Sequence, residues 1–298
     1  MNKTARDGTK RFFGYARSRH QVYLNRMSGM PRPWTKDKIL DTYRFTNVFR
    51  ELDKTTLWFA RNVRDPMREQ PEVLLATVVF RLLNRIEVGE AIFCQKDIEA
   101  DNAFSLFMKD GNVKHLKKAV LANCGKGPYV TGAYIISSPP GYSKLDGVLE
   151  VIRRFYRNSD WRVYAEQMPE DPQVSLQMAW EWLREFDYFG SFHAYEIVTD
   201  LRHTALLSRA PDIMTWANPG PGAHRGANRV FRGDRSDKVP RDQVIDEMRI
   251  LLSWSRDAKH WPQDWPAWEM RDVEHTLCEF DKFERVRLGE GRPRGVYR

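Results

Sequence analysis

The stretch that decides the fold spans residues 179–230 and reads AWEWLREFDYFGSFHAYEIVTDLRHTALLSRAPDIMTWANPGPGAHRGANRV. It predicts a helix, a tight turn at Phe189-Gly190-Ser191, and a second helix from Phe192 to about Leu207. A helix that starts after a glycine turn presents unpaired backbone N–H groups to an anion such as phosphate. An ordinary helical hairpin has the same spacing, so the turn alone does not separate a structural hairpin from a phosphate site.

A second candidate anion site follows Asp212 in the same stretch. The loop Asn218-Pro219-Gly220-Pro221-Gly222 leads to Arg225 and Arg229. A glycine-rich loop followed by two arginines supplies both backbone amides and guanidinium groups to one anion. A plain loop at the end of a helix is the alternative interpretation of the same residues.

The composition favours a globular protein with an anionic partner. The 298 residues include 48 Lys and Arg against 40 Asp and Glu, and 42% are hydrophobic, which is enough for a sizeable core. The three cysteines are far apart, which indicates neither a disulfide framework nor a zinc site and favours a reducing cytosol. No apolar run is long enough to span a bilayer, so we expect a cytoplasmic protein without membrane contact.

Hydrophobic periodicity favours an all-α architecture, because few segments alternate apolar and polar residues with a period of two. Residues 1–33 are rich in Lys and Arg with interleaved aromatic residues, and they are either a basic arm for a nucleic-acid backbone or a solvated terminus. Pro31-Arg32-Pro33 marks a boundary. We expect residues 34–298 to form one continuous helical domain. This domain either has a single lobe or has two lobes with a cleft between them.

Two polar helix faces are candidate binding surfaces. In the predicted helix after Thr35, Arg44, Asn47 and Arg50 recur every three or four residues, opposite an apolar face. In the last helix, His275, Glu279 and Lys282 lie opposite another apolar face. A solvated surface is the usual meaning of such a face, and a phosphate-holding surface or pocket is the functional alternative.

Several common catalytic motifs are missing from the sequence. There is no G-x-x-x-x-G-K-[ST], so the chain is not itself predicted to be a P-loop kinase. G-x-S-x-G, H-E-x-x-H and paired C-x-x-C are missing as well. The histidines at positions 193, 203, 224 and 275 lack metal-ligand spacing, so no metal site is predicted.

Four long segments carry a resemblance to known families. The turn FDYFGSFHAYEI with Asp212 downstream resembles the helix-hairpin-helix of the DNA glycosylase fold and its catalytic aspartate. More closely, the chain resembles the alpha-glutamyl/putrescinyl thymine pyrophosphorylases, the amino acid:DNA transferases of phages. It is also similar to the helical domain of 5-hydroxymethyluracil DNA kinases. The segments are PWTKDKILDTYRFTNVFRELD, FGSFHAYEIVTDLRHTALL, PDIMTWANPGPGAHRGANRV and WEMRDVEHTLCEFDKFERVRLGEGRPR.

The resemblance implies a helix-hairpin-helix glycosylase-like domain with a central cleft and a defined reaction. The substrate is a thymine in double-stranded DNA whose methyl group carries a pyrophosphate, which an amine displaces to form a C–N bond. The target base must leave the stack, and fixed cations must meet the charge of the leaving group. The attacking amine must lose a proton to a nearby carboxylate or histidine.

The resemblance also implies roles for particular residues. Asp212 matches the glycosylase aspartate, and His275 and Glu279 would complete the catalytic pocket. Ser191-Phe192-His193 stands where a bifunctional glycosylase has lysine, which argues against lyase chemistry. The residues expected to hold pyrophosphate or DNA phosphates are Arg44, Asn47, Arg50, Gly190, Ser191, Asn218, Gly220, Gly222, Arg225, Arg229, Lys282 and Arg285.

Two other classes of function stay open. The chain is either a non-catalytic DNA-binding module that partners a separate 5-hydroxymethyluracil DNA kinase, or, less in keeping with the motifs, a glycosylase that leaves abasic sites. The amine is also open among glycine, glutamate and a polyamine. The sequence requires no particular cofactor, and a need for a divalent metal is left open.

Overall fold

The structure is a computed structural model that describes residues 2–96, 101–125, 127–131, 137–158 and 160–297. Across these residues the secondary structure is helical, with isolated β-bridges at Tyr43–Val296 and Lys96–Asn102 and no strand. The all-α prediction is therefore confirmed. The narrower expectation of a helix-hairpin-helix glycosylase fold stays a prediction.

The described residues form helices in the following order. The α-helices are α1 (Lys3–Met27), α2 (Lys38–Thr42), α3 (Lys54–Phe59), α4 (Val73–Leu83), α5 (Ile86–Gly89), α6 (Ala103–Asp110), α7 (Lys114–Cys124), α8 (Lys144–Arg157), α9 (Asp160–Gln167), α10 (Leu176–Leu183), α11 (Ser191–Leu201), α12 (Pro221–Phe231), α13 (Arg241–Trp254) and α14 (Met270–Arg287). A 3₁₀ turn covers Arg50–Leu52, and π-helical turns cover Ala60–Arg64 and Glu90–Cys94.

Contacts within the chain group it into two compact units. Unit 1 contains Met1–Asp53 and Ile213–Arg298, and unit 2 contains Lys54–Asp212. The predicted division into an arm of residues 1–33 and one domain of residues 34–298 stays a prediction. Each unit has its own buried core.

The core of unit 1 is built where α12 packs on α14 and α1. Glycines permit this close approach: a Cβ atom added to Gly222 would collide with the Cys278 side chain, and one added to Gly226 with the Leu277 carbonyl. Pro221 occupies the first turn of α12, where its missing N–H is not needed. The predicted loop therefore ends earlier than expected, because Pro221 and Gly222 already belong to the helix.

The basic N-terminal segment contains the longest helix described. The side chains of Phe12, Phe13 and Tyr15 are buried in unit 1, while Arg6 and Lys10 are exposed. These three aromatic residues are thus part of the core and not exposed groups available to stack on bases, whereas Tyr23 is half-buried. A role of the segment in DNA binding stays a prediction and would rest on its basic side chains.

The helix predicted after Thr35 is interrupted, and this expectation is wrong over residues 43–49. Only Lys38–Thr42 is helical, with Asp37 as its N-cap, and the chain is extended at Tyr43 and Phe49. Phe45 and Phe49 are buried as expected. The helical spacing proposed for the polar residues of this segment does not exist, because tertiary hydrogen bonds hold the backbone in another conformation.

Unit 2 is organised around α4 and α11, which pack together. Every residue of α4 is buried, as its apolar sequence predicts. The predicted helix–turn–helix around Gly190 is confirmed at the level of secondary structure by α10 and α11. The second helix ends at Leu201 and not near Leu207, because the Thr204 hydroxyl donates to the Leu201 carbonyl in a following turn. Its role as a DNA-binding motif stays a prediction.

Candidate active site

The segment between α2 and the 3₁₀ turn is held extended by side chains of unit 1. The carbonyl of Phe45 accepts hydrogen bonds from Nε and Nη2 of Arg19, at 3.2 and 2.9 Å. Nη2 of Arg19 also donates to Oδ1 of Asn47 at 2.7 Å, and the Asn47 N–H donates to Asp53 Oδ1 at 2.9 Å. These bonds replace the helical pattern that the spacing alone predicted and fix the position of Thr46.

Thr46 joins this segment to two predicted site residues on α14, and a third contacts one of them. Its hydroxyl lies 2.6 Å from Nε2 of His275, and its backbone N–H donates to Oε2 of Glu279 at 3.1 Å. The same Glu279 oxygen accepts a hydrogen bond from Nζ of Lys282 at 2.7 Å. The three α14 residues share one face because they are spaced by four and three. Thr46 was not selected from the sequence, since only tertiary contact reveals its role.

Two buried residues of α1 line the same region. Tyr15 and Arg19 are 4% and 3% exposed, and both contact Phe45, whose ring lies 5.9 Å from the Tyr15 ring. Burial raises the pKa of Tyr15 well above its usual range, and the charge of Glu279 raises it further. The sequence analysis missed both residues, because it treated this segment as an arm. Their spacing of four on an otherwise apolar face was the available signal.

An arginine cluster on α12 and α14 surrounds a buried carboxylate. Asp281 accepts hydrogen bonds from Nε of Arg225 and from Nε of Arg229, both at 2.8 Å, and Nε of Arg285 lies 3.5 Å from it. The predicted residues Arg225, Arg229 and Arg285 are thus brought together by an aspartate that the sequence analysis did not select. We call these four residues the Asp281 cluster.

The Asp281 cluster has a surplus of positive charge. Three arginines share one carboxylate, and among the described residues only Arg229 has a further acid, Glu290, at 2.5 Å. The side chains of Arg225 and Arg285 are 38% and 36% exposed, so they reach solvent while they contact Asp281. A partly exposed group of guanidinium ions in excess over carboxylates can bind phosphate oxygens from solution.

The glycine loop before α12 is engaged with other side chains. The Gly220 N–H donates to Oε1 of Glu274 at 3.2 Å, and the buried Asn218 accepts a hydrogen bond from Nη2 of Arg241 at 3.1 Å. Glu274 therefore places a carboxylate at a helix N-terminus, where an anion is favoured. Phosphate binding by Asn218, Gly220 and Gly222 stays a prediction.

The remaining predicted residues of unit 1 differ in environment. Arg44 is exposed, and its guanidinium lies 5.7 Å from the centre of the Tyr297 ring. Arg50 contacts Asp53 at 3.5 Å. Asn47 is buried, and its amide also donates to the Leu52 carbonyl. Of these three side chains Arg44 is the most exposed, and Asn47 has hydrogen bonds that give it a structural role.

Three predicted site residues belong to unit 2. Asp212 accepts hydrogen bonds from the backbone N–H groups of Leu176 and Gln177, at 2.7 and 2.9 Å, and so caps the start of α10. Gly190 is the N-cap residue of α11, and the Ser191 carbonyl accepts a hydrogen bond from the Trp180 indole at 2.9 Å. Their roles in catalysis and in DNA binding stay predictions.

Cys278 lies on α14 between the acidic residues of the site. Burial raises the pKa of its thiol to about 12, and the charges of Glu279 and Glu274 act in the same direction. The thiol is therefore protonated at neutral pH, and it is unsuited to act as a thiolate nucleophile. Its side chain instead fills the space beside Gly222.

The described residues contain neither a metal-binding cluster nor a membrane span. No group of three or more histidine, cysteine or carboxylate side chains there is arranged to hold a metal ion. Within the same residues, every helix is too short or too polar to cross a bilayer.

Comparison with known proteins shows which protein family the chain is related to. A family model described as "5-hmdU DNA kinase, helical domain" matches residues 7–292. The chain is 27% identical over 234 residues to a 5-hmdU DNA kinase of Bacillus phage SP10, in a region that covers 72% of this chain and 34% of the phage protein. The chain thus spans about a third of that relative's length. No solved structure matches it. The chain belongs to the family of helical domains of 5-hmdU DNA kinases.

Proposed function

We propose that this member of the 5-hmdU DNA kinase helical-domain family is a transferase of phage thymine hypermodification. Its substrate is 5-(pyrophosphoryloxymethyl)uracil in DNA, and its second substrate is an amine. The nitrogen lone pair forms a bond to the exocyclic carbon while the C–O bond breaks, and the bonding electrons leave with pyrophosphate. The proton released from the nitrogen passes to a base on the protein.

The observation that carries this proposal is the arrangement of His275 and Glu279 around Thr46. Both side chains face the same residue from successive turns of α14. An imidazole and a carboxylate are the usual groups that accept a proton from an attacking amine. Lys282, 2.7 Å from Glu279, adds a cation beside them that supports binding of an anionic substrate.

The Asp281 cluster supports the other requirement of the reaction. Pyrophosphate leaves readily only where fixed cations meet its charge, and guanidinium groups bind its oxygens in pairs. The cluster lies on the same two helices, α12 and α14, as the Gly220–Glu274 contact. We therefore assign Arg225 and Arg285 to the pyrophosphate or to the neighbouring DNA phosphates, with Arg44 as a further phosphate contact.

Asp212 has a smaller part in this proposal than in the sequence analysis. Both of its carboxylate oxygens accept backbone hydrogen bonds at the start of α10. A carboxylate used in this way is already occupied as a helix cap, which favours a structural role. We therefore assign proton acceptance to His275 and Glu279, and the catalytic role of Asp212 remains to be tested separately.

The test is a transfer assay on DNA that contains pyrophosphorylated 5-hydroxymethyluracil. The protein is incubated with this DNA and with glycine, glutamate or putrescine, and the nucleosides are then identified by mass spectrometry. We expect release of pyrophosphate and a new nucleoside that contains the amine. His275→Gln and Glu279→Gln should each slow transfer by about 100-fold or more, the usual contribution of a general base. Pyrophosphate release at the wild-type rate in both variants would remove these residues from the mechanism.

Two features make these variants informative. Glutamine at position 279 keeps an oxygen that can accept the Thr46 N–H, so the local fold is preserved while the charge is lost. His224→Gln is the matched control, because His224 lies on α12 in the same unit and has no place in the proposed reaction. We expect this control to retain full activity.

A second candidate function is a non-catalytic DNA-binding module that delivers a separate kinase to its substrate. The match to the helical domain of kinases favours it, since the phage relative is about three times longer than the matched region. Binding to DNA without any release of pyrophosphate would support this module. Abasic sites in the product DNA would instead indicate a glycosylase.

A further inference from the structure

The most unusual buried charge in unit 1 is the guanidinium of Arg19. It is 3% exposed, and the groups that accept its hydrogen bonds are the Phe45 carbonyl and the Asn47 amide oxygen, which are both neutral. Among the residues that the structure describes, no carboxylate lies within ion-pair distance of it. Buried charges in proteins are normally paired with an opposite charge. Asp53, which accepts a hydrogen bond from the Asn47 N–H, interacts with the charge of Arg19 without contacting it, so the guanidinium has a carboxylate nearby but none on its nitrogens.

One turn earlier on α1, the hydroxyl of Tyr15 is also incomplete. It is buried, and it makes no hydrogen bond to any described residue, and the same is true of Nη1 of Arg19. The two side chains lie four residues apart on one helix face, and both contact Phe45. An unpartnered buried polar atom is costly, and two neighbouring donors require a partner such as water, an ion or a ligand group.

The chemistry of these groups specifies the kind of molecule. Because burial and the nearby Glu279 charge raise the pKa of Tyr15, its phenol keeps its proton and can donate it in a hydrogen bond. Nη1 of Arg19 is a donor as well, and it carries part of a full positive charge. The two free groups therefore offer donors and a positive charge, which is the complement of an oxyanion.

We propose that Tyr15 and Arg19 form a buried oxyanion subsite for a small ligand. The ligand group is a carboxylate or a phosphoryl group, and its oxygens accept hydrogen bonds from the Tyr15 hydroxyl and from Nη1 of Arg19. The backbone phosphates of DNA are excluded, because both side chains are almost completely buried. The assignment of this subsite to the reaction rests on the proposed function, since Glu279 belongs to that site.

The subsite has a consequence for the choice of amine. A carboxylate of glycine or glutamate would fill it, whereas a polyamine such as putrescine has no group that accepts these hydrogen bonds. Inorganic pyrophosphate offers the same oxyanion chemistry. Binding measurements with the separate ligands distinguish the two sources of the oxyanion.

The experiment measures binding of glycine, pyrophosphate and putrescine to the full chain without DNA, by NMR and titration calorimetry. Wild-type protein should bind glycine or pyrophosphate, and neither should be displaced by putrescine. Tyr15→Phe should weaken that binding by about tenfold, the effect of one hydrogen bond to a charged group. Binding of glycine identifies a carboxylate subsite, and binding of pyrophosphate alone identifies a leaving-group subsite. Failure of the wild-type protein to bind either ligand overturns the proposal.

Two further variants separate a subsite from a structural effect. Tyr15→Phe removes only a hydroxyl without a partner, so its melting temperature should equal or exceed that of the wild type. Tyr23→Phe is the matched control on the same helix and should bind like the wild type, because its ring packs on His20. Unchanged ligand binding in Tyr15→Phe would show that the hydroxyl contacts water only and would refute the subsite.

The result is independent of the transfer assay. If Tyr15→Phe loses ligand binding but the wild-type protein catalyses no transfer, the subsite stands and the proposed function is rejected. If the protein catalyses transfer but Tyr15→Phe does not change ligand binding, the proposed function stands and the subsite is rejected. A third variant, Arg19→Lys, keeps the positive charge and should bind more weakly than the wild type, because it loses the planar fork of donors.

Discussion

Arg81 and Arg19 are both buried arginines on long helices, and they differ in what surrounds them. In unit 2, Arg81 is 1% exposed, and both Nε and Nη2 donate to the carboxylate of Asp200. In unit 1, Arg19 is 3% exposed and donates to the Phe45 carbonyl and the Asn47 amide, which carry no charge. The first arginine is neutralised within the protein. The second has no ion pair among the described residues, and its Nη1 has no hydrogen-bond partner there.

The difference shows how burial can be separated from function. The Arg81–Asp200 pair links α4 to α11, and the Asp200 carboxylate balances the charge of Arg81. A structural role therefore accounts for this pair. Arg19 is buried to a similar degree but has no ion pair with any described carboxylate, and Asp53 acts on its charge only from a distance. Substitutions at Asp200 and His20 change the surroundings of these two arginines. Substitutions at Asp281 and Asp212 change two other carboxylates of the same two units, with smaller expected effects.

The largest effect is expected from Asp200→Ala. This substitution leaves Arg81 buried without its main partner, and we expect the free energy of unfolding to fall by about 3–5 kcal/mol. Chemical denaturation of the full chain monitored by circular dichroism measures the change. Asp187→Ala is the control, because its ion pair with Arg154 is exposed and should contribute little to stability. A similar small loss in both variants would show that the buried pair does not stabilise the fold.

The second effect concerns pH and His20, the neighbour of Arg19. Burial, and secondarily the charge of Arg19, lower the pKa of His20 to about 4 from the usual 6.5. The unfolded chain therefore binds more protons than the folded protein between these values, so stability decreases as the pH falls through this window. The expected loss is at most about 3 kcal/mol.

Denaturation at pH 7 and pH 4 in the wild type and in His20→Gln isolates this contribution. The variant should lose less stability on acidification than the wild type, because it has no imidazole to protonate. An oxyanion bound at Arg19 should also raise the pKa of His20, which NMR titration reports. Equal acid sensitivity in both proteins would contradict the assignment of a low pKa to His20.

The third effect is expected at the Asp281 cluster, where the cations exceed the carboxylate. Asp281→Asn should cost about 2 kcal/mol of stability, less than Asp200→Ala, because Arg225 and Arg285 can turn towards water. The substitution also removes one negative charge, so DNA binding should tighten at low salt. The slope of binding against salt should steepen by about one phosphate contact. Fluorescence anisotropy over a salt series measures this, and an unchanged slope would argue against DNA contact by the cluster.

The smallest effect is expected at Asp212, a carboxylate whose partners are backbone amides. Asp212→Ala should lower stability by about 1 kcal/mol, because α10 loses two capping hydrogen bonds. If Asp212 is only a cap, Asp212→Asn should recover part of this stability and both variants should transfer normally. A loss of transfer by more than 100-fold in a stable Asp212→Asn protein would restore the catalytic role implied by its resemblance to the glycosylase aspartate.

The sequence was most informative where local periodicity and tertiary structure agree. The continuous apolar run of α4 predicted a buried helix, and the glycine turn predicted the break between α10 and α11. Both signals are local, because helical spacing and turn geometry act within a few residues of each other. The same reasoning correctly grouped His275, Glu279 and Lys282 on one face of α14.

Sequence reasoning failed where distant residues override local preference. Residues 43–49 have helical spacing, but Arg19 and Asp53 hold their backbone in another conformation. The N-terminal segment has the composition of a solvated arm, but it buries Tyr15 and Arg19. In both cases the deciding contacts join residues far apart in the chain, and a search within one segment does not detect them.

The amino-acid sequence by itself determined the all-α class, the buried helix α4, the hairpin at Gly190 and the excess of basic residues. These properties follow from periodicity, turn residues and charge, which are readable within a short window. Only the tertiary structure decided that Asp281 gathers three arginines, that Thr46 joins His275 to Glu279, and that Arg19 makes no ion pair with a described carboxylate. The physical reason is that the pairing of a buried charge depends on which distant side chains the fold brings within a few ångströms of it.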